Sequence, residues 1–341
     1  MSHQLSPRRD TRAPRRFVAL TCALVGAVAL SSCGAVEANT PSSPSSSGSA
    51  GPERTIKHVM GSTTIKGTPQ RVAALDQSYV EAVVLLRTPV VASTTYHSLK
   101  GQVPEHLGEA GKTYSGEATV IGTLQEPSLE KLTTAKPDLI LSAKVRHEKL
   151  YSQLSAIAPT VFSETTGPTW KENILLTGQA LNKEDLAKER LAEYEKQAKK
   201  VGDAVKAKLG RNPKISVVRF TDGPTRLYQK KSFSGIVLQD AGLDRPESQS
   251  ADEFMAEISE EKIPMADGDK IFVTAADAKD GSSPKSKAAF ETNPLWKPLA
   301  DKVVNVPDAT WMTSVSVQGA YKILADIATA YDVPGPDPLQ P

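Results

Sequence analysis

Residues 33–341 hold nine arginines against 27 lysines, and three of those arginines fall where strands are expected to end or turn. Arg146 follows the apolar run Asp138–Ser142, Arg219 closes Ile215–Phe220, and Arg226 follows the turn Thr221–Pro224. Aromatic residues hold similar places: Tyr96 after Pro89–Ser93, Phe233 after Arg226–Tyr228, and Trp311 after Val303–Val306. Tyr228 and Phe254 are further aromatic candidates, and Trp170 precedes a long helical stretch. In open α/β sheets, ligands lie outside the C-terminal ends of the strands. A guanidinium there is a rigid fork for oxygen atoms, and an aromatic face takes an organic shell. Together these residue types suit the binding of an oxygen-rimmed organic ligand. Each has a structural counterpart: Arg219 is placed to pair with Asp222, Arg226 to cap its turn, and Trp170 to fill a core.

Two other chemistries are weaker. Ser128-Leu129-Glu130-Lys131 fits a Ser-x-x-Lys acyl-enzyme motif, but no Ser-Asp-Asn or Lys-Thr-Gly follows, although Lys112-Thr113 comes near. Carriage of zinc or manganese would need clustered ligands. His58, His97, His106 and His147 are scattered, with no H-x-H pair.

The elements that must position these residues announce themselves by a repeat. Ser128–Leu141 recurs as Ser259–Phe272, 131 residues on, with Ser, Glu, Lys, Ala, Asp and Ile at matching places and Leu132 replaced by Ile263. Each copy reads as a short helix, a turn and a buried strand. One unit in each half predicts two similar α/β lobes with central sheets and a ligand cleft between them. In residues 55–181, a hairpin (Thr55–Val59 and Ser62–Lys66) precedes short apolar strands alternating with helices, the pattern of a parallel sheet. Residues 182–209 repeat apolar positions at spacings of three and four, from Leu186 to Leu209. They predict a helix roughly 40 Å long that bridges the halves. Residues 210–341 then repeat the order of the first lobe, closing with a helix over Val317–Tyr331.

The N-terminus is a targeting segment. Five arginines precede the apolar run Phe17–Leu30, which is too short for a bilayer span of about 20 residues. Leu30-Ser31-Ser32-Cys33-Gly34 fits a lipobox, so residues 1–32 are expected to be removed and Cys33 to carry lipid. Arg15-Arg16-Phe17 also fits a twin-arginine signal, which leaves the export route open. The leader holds five Arg and one Asp, so basic residues fall from 41 to 36 and acidic from 39 to 38, leaving the remainder near −2. No basic patch for nucleic acid survives. Cys33 is then the only cysteine, which rules out an intrachain disulfide. Residues 33–54 are rich in Ser, Pro and Gly and read as a flexible tether.

Ile121-Gly122-Thr123, Glu126–Leu132 and Lys136–Leu141 resemble the signature of iron–siderophore-binding proteins of ABC importers. Pro69–Asp76, Ser232–Gly235 and Asn293–Trp296 agree, and the resemblance covers most of residues 55–331. It implies a monomeric, lipid-anchored substrate-binding protein on the outer face of a Gram-positive membrane. Its cargo would be a ferric siderophore, of the hydroxamate, ferrioxamine-like type, passed to a permease with its ATPase. Cobalamin and haem carriers share the architecture and are the alternative. A ferric siderophore already fills the iron's coordination sphere, so neither metal ligands nor a cofactor are expected. The resemblance places Trp170 at a family aromatic. It also places Glu130 and Glu261 where one acidic residue on each lobe docks the permease, although a first-turn acid also complements a helix dipole. Two positions depart from the hydroxamate-binding pattern: Leu124 stands where an Arg is expected, and Val145 where an aromatic is.

Overall fold

The computed structural model describes residues 52–95, 103–276 and 282–340. The hairpin is formed by β1 (Glu53–His58) and β2 (Gly61–Lys66), paired antiparallel. A sheet follows from β3 (Val72–Ala74), β4 (Val90–Thr95), β5 (Thr119–Thr123), β6 (Leu139–Ala143) and β7 (Thr160–Ser163). Its spatial order is β5-β4-β3-β6-β7, and every pair is parallel. β3 and β6 are buried along their whole length, as apolar runs in the middle of a covered parallel sheet must be. The connecting helices are α1 (Gln77–Leu85), α2 (Gly108–Ser115), α3 (Leu129–Ala135), α4 (Lys144–His147) and α5 (Tyr151–Ser155).

Two helices lead out of this sheet: α6 (Trp170–Leu181) and α7 (Glu184–Leu209). With 26 residues, α7 is about 39 Å long. It ends at Gly210, whose φ of +66° lies in the left-handed region that glycine occupies without strain. α7 packs against α6 on one side and against two helices of the second half on the other, α8 (Phe233–Asp240) and α10 (Val317–Ala330). The approach to α8 is close: a Cβ on Gly202 would lie 1.7 Å from the carbonyl oxygen of Ala241.

The second sheet comprises β8 (Ile215–Phe220), β9 (Thr225–Tyr228), β10 (Met255–Ile258), β11 (Lys270–Ala275) and β12 (Val303–Asn305), with α9 (Ser282–Thr292) beside β8 and β11. Its order, β10-β9-β8-β11-β12, reproduces that of the first sheet. The strand directions do not. β9 runs antiparallel to β8, because the short turn at 221–224 makes a hairpin where the first lobe has a helical crossover.

The sequence repeat falls on equivalent elements, the segments leading into β6 and β11. Leu132 and Ile263 are both fully buried. The matched acids do the same work. Asp138 accepts from the backbone N–H of Gln70 and Arg71, and Asp269 from that of Lys214, each at the mouth of its lobe's first strand. The short helix of the second copy takes the 3-10 form, Glu260–Ala266, where the first is α-helical, since Pro264 inside it has no N–H to donate and crowds the preceding turn.

Candidate ligand cleft

In both sheets the strand order reverses beside the first strand, between β3 and β6 and between β8 and β11. The C-terminal ends of these strands carry Asp76 and Arg146 in one lobe, and Arg219 and Thr274 in the other. Between them lies a cavity of about 470 Å³. Val145, Arg146 and the loop Thr165–Pro168 line it from the first lobe; Arg219, Arg226, Tyr228, Phe233, Phe254 and Trp311 line it from the second. A larger groove of about 580 Å³ lies on the second lobe alone, between the turn at 223–225 and α9. It holds no arginine and one aromatic residue, Phe290, so the smaller inter-lobe cavity is the better candidate.

Arg219 is fixed from three directions. Its Nε and Nη2 donate to Asp308 Oδ1 and Oδ2, both at 2.7 Å, and Nη1 donates to the Tyr228 hydroxyl at 3.1 Å. Burial works against its charge, but Tyr228 and Asp308 outweigh burial and hold its pKa above the ordinary arginine value. The expected partner Asp222 is not the one used; Asp308, 89 residues away along the chain, takes its place. Arg146 Nε donates to Asp76 Oδ2 at 2.9 Å. Asp76 is itself buried and caps α1, accepting from the N–H and hydroxyl of Ser78. Arg226 stands opposite Glu257 across the β9–β10 pair, with Nε 3.7 Å from the carboxylate and no hydrogen bond to that Nε among the described residues. It does not cap the turn, which is closed by Thr221 Oγ1.

The aromatic candidates divide. Trp311 is among the cavity's lining residues from a fully buried position, stacked on Phe272 at 4.6 Å between centroids, with its indole N–H donated to Asp326. Phe233 reaches the cavity and meets Trp170 edge-on behind it. Trp170 is corrected to a core residue. It is 1% exposed, lies against Tyr194 and Phe233, and does not line the cavity. Tyr96 and Cys33 lie outside the described residues. Phe254, an alternate in the sequence, is 43% exposed at the cavity's edge and packs on Tyr228.

Leu124 is buried and points its carbonyl at His147 Nε2 (2.7 Å), while His147 Nδ1 meets the Ser142 hydroxyl. Burial lowers the His147 pKa. His58 bonds Thr63, and His106 lies against Glu81. Among the described residues, no three His, Cys, Asp or Glu side chains form a metal-ligand group. Ser128, the serine of the Ser-x-x-Lys match, caps α3 by accepting from the Lys131 N–H. Glu130 and Glu261 are both exposed, one in the first turn of α3 and the other in the 3-10 segment. The Ser259 hydroxyl lowers the Glu261 pKa.

The lining residues that the sequence did not single out as candidates are Thr165–Pro168, Ser234, Met312 and Val315, while Val145, read only as a departure from the hydroxamate-binding pattern, lines the cavity too. Thr165–Pro168 directly follows a strand, so the rule that selected Arg146 would have selected it too. The buried acids Asp76 and Asp308 carried no signal of their own, because an acid beside a strand end is as often solvated as paired.

Comparison with known proteins agrees with this architecture. Residues 72–300 match the family model described as periplasmic binding protein. The probable siderophore-binding lipoprotein YfiY of Bacillus subtilis is 36% identical over 325 residues, covering 90% of this chain and 95% of that one. The Fe(3+)-citrate-binding protein YfmC of the same organism is 33% identical, covering 84% and 88%. Among solved structures, Staphylococcus aureus SirA complexed with staphyloferrin B superposes with a TM-score of 0.75 at 30% identity, covering 82% of this chain and 99% of SirA.

Proposed function

The chain belongs to the periplasmic binding protein family, and from that premise we propose that it captures an anionic ferric siderophore in the inter-lobe cleft and delivers it to an ABC permease. The family and the relatives are substrate-binding proteins rather than enzymes, so the Ser-x-x-Lys reading is set aside. Binding a ferric siderophore for ABC iron uptake is the function the relatives support. The charge of the cargo is the finer part of the reading.

The observation that carries it is the lining of the cavity: three guanidinium groups from two lobes, of which Arg226 is held most weakly by its acid, and no metal-ligand group among the described residues. Three hydroxamates cancel the three charges of Fe(III), so a ferrioxamine-like shell is neutral and gives the arginines little to grip. A carboxylate-rich or catecholate shell carries excess negative charge on oxygen, which guanidinium forks take up by charge-assisted hydrogen bonds. A relative named for Fe(3+)-citrate fits this choice. The hydroxamate cargo expected from the sequence is therefore the weaker fit. The lipobox at Cys33 and the lipoprotein name of the 36% identical relative support anchoring outside the cytoplasm. The equivalent exposed positions of Glu130 and Glu261 support their use as the two permease contacts.

A chain lacking the leader, titrated with ferric citrate, a ferric tris-catecholate and ferrioxamine, tests the reading by tryptophan emission, since Trp311 lines the cavity. The two anionic complexes should quench at lower concentration than ferrioxamine. Unchanged emission with all three would remove the cleft as a siderophore site, and tightest binding of ferrioxamine would return the cargo to the hydroxamate class.

A further inference from the structure

A cleft that collects arginines for an anion has no evident need of acids, yet two buried carboxylates stand directly behind its guanidinium groups. Asp308 is the better resolved of these. Its side chain is 9% exposed and does not line the cavity. Oδ1 accepts from Arg219 Nε at 2.7 Å and from Thr274 Oγ1 at 2.8 Å, and Oδ2 accepts from Arg219 Nη2 at 2.7 Å. Three hydrogen bonds from two residues fix the buried carboxylate, and two of them take up the Nε–Nη2 edge of the arginine. Asp76 stands behind Arg146, accepting from its Nε at 2.9 Å. The third arginine differs: Glu257 is 3.7 Å from Arg226, and its side chain is 45% exposed, so water screens the pair.

We infer that Asp308 is a specificity-determining residue that sets how negative a cargo the cleft accepts. Paired to Asp308 through two bonds, Arg219 offers the cargo a rigid polar wall whose charge is already balanced, and most of the net attraction comes from Arg226. A very negative complex then gains little over a moderately charged one, because the carboxylate repels it nearly as strongly as the guanidinium attracts it. Without Asp308, a full positive charge would stand on Arg219, whose side chain is only 13% exposed, where screening is weak. The cleft would then favour the most negative oxygen-rich molecule it met. This inference rests on the cargo reading above and adds the residue that limits it.

Asp308→Asn keeps the side-chain shape and an acceptor oxygen while removing the charge. Affinities of wild type and variant are compared for a neutral ferric tris-hydroxamate and a ferric tris-catecholate, which share a six-oxygen iron shell but differ by three charges. The ratio of affinities should move toward the tris-catecholate by about fivefold or more. The double variant Asp308→Asn with Arg219→Gln removes both charges together, so its ratio should fall back from that of the single variant. If Asp308→Asn alone does not fold, the double variant is compared with Arg219→Gln instead, against which its ratio should move toward the tris-catecholate by about fivefold or more, and an unchanged ratio there overturns the inference. An unchanged ratio in the single variant, or a double variant displaced as far as the single, overturns the inference while leaving the cargo reading intact. Wild type that binds neither complex overturns both.

Discussion

Arg226 and Trp170 are both large side chains near the cleft, but their surroundings give them opposite consequences. Arg226 faces the cavity with a weakly held charge, so Arg226→Ala should reduce affinity for an anionic ferric complex about tenfold, or about 1.4 kcal/mol. Its melting temperature should stay close to wild type. Trp170 is enclosed by Tyr194 and Phe233, and Trp170→Ala should lower stability by about 3–5 kcal/mol in denaturant unfolding. Its main effect should not be on the cargo of the folded fraction. Reversal of the two phenotypes would show that the cleft has been misplaced. Arg146, Arg219, Phe233 and Trp311 were legible as cleft residues because each lies at the C-terminal end of a strand or in the segment after it, and that position decides which end of the sheet it joins. Trp170 was not, since a tryptophan ahead of a helix presents the same letters whether it faces a cavity or a core. Arg219's partner was misread for a related reason: Asp222 is near in sequence, but the hairpin turn carries it away and the end of β12 brings Asp308 in.

The paired elements around Asp138 and Asp269 show why the repeated segment is kept in both lobes. Each aspartate ties the segment before the fourth strand to the backbone that opens the first. At Asp269 the Arg211 guanidinium adds two bonds, at 2.6 and 2.8 Å, and with the Lys214 N–H it lowers the carboxyl pKa to about 2. A carboxyl depressed in the folded state contributes stability above its unfolded value of 3.8 and loses it as pH falls toward 2. Asp269→Asn should therefore cost about 1 kcal/mol near pH 7, the scale of a largely solvated pair. Urea unfolding should show that gap closing between about pH 4 and pH 2. A gap that persists at pH 2 would assign the effect to packing. β6 and β11 were legible as strands because both are continuous apolar runs. β5 and β10 were not, since Thr-Val-Ile-Gly-Thr and Met-Ala-Glu-Ile are short edge strands whose formation depends on a neighbour rather than on their own composition.

The two halves are held together by more than α7. Glu81, on α1, is fully buried and accepts from the hydroxyls of Ser314 and Ser316 in the second half, and from Gln77 Nε2 at 3.0 Å. His106 Nε2 lies 3.1 Å from its other side. Burial alone would raise the Glu81 pKa, but the ion pair with His106 and the two serine hydroxyls outweigh it, and the net direction is downward. Glu81 therefore contributes stability above the unfolded carboxylate value of 4.5, and that contribution is lost as pH falls below it. Glu81→Ala should destabilise the molecule by about 3–5 kcal/mol at pH 7 by stranding its partners. Thermal melts of variant and wild type should converge on acidification. Lys171 adds a second tie, from α6 to Asp240 of α8 at 2.9 Å. With these contacts and the close seat of Gly202 on Ala241, the lobes are braced by buried polar groups as well as by one long helix.

The scaffold is doubled, but the charges at its centre are not. In the first lobe the acid, Asp76, follows the first strand and the arginine follows the fourth. In the second lobe the arginine ends the first strand and the acid follows the fifth. A two-fold cleft would accept a symmetric guest equally well either way up. This one presents different chemistry from its two walls, so the two orientations of a guest are not equivalent in it. A receiving protein would then meet a rim made partly of protein and partly of guest, unlike that of the empty carrier.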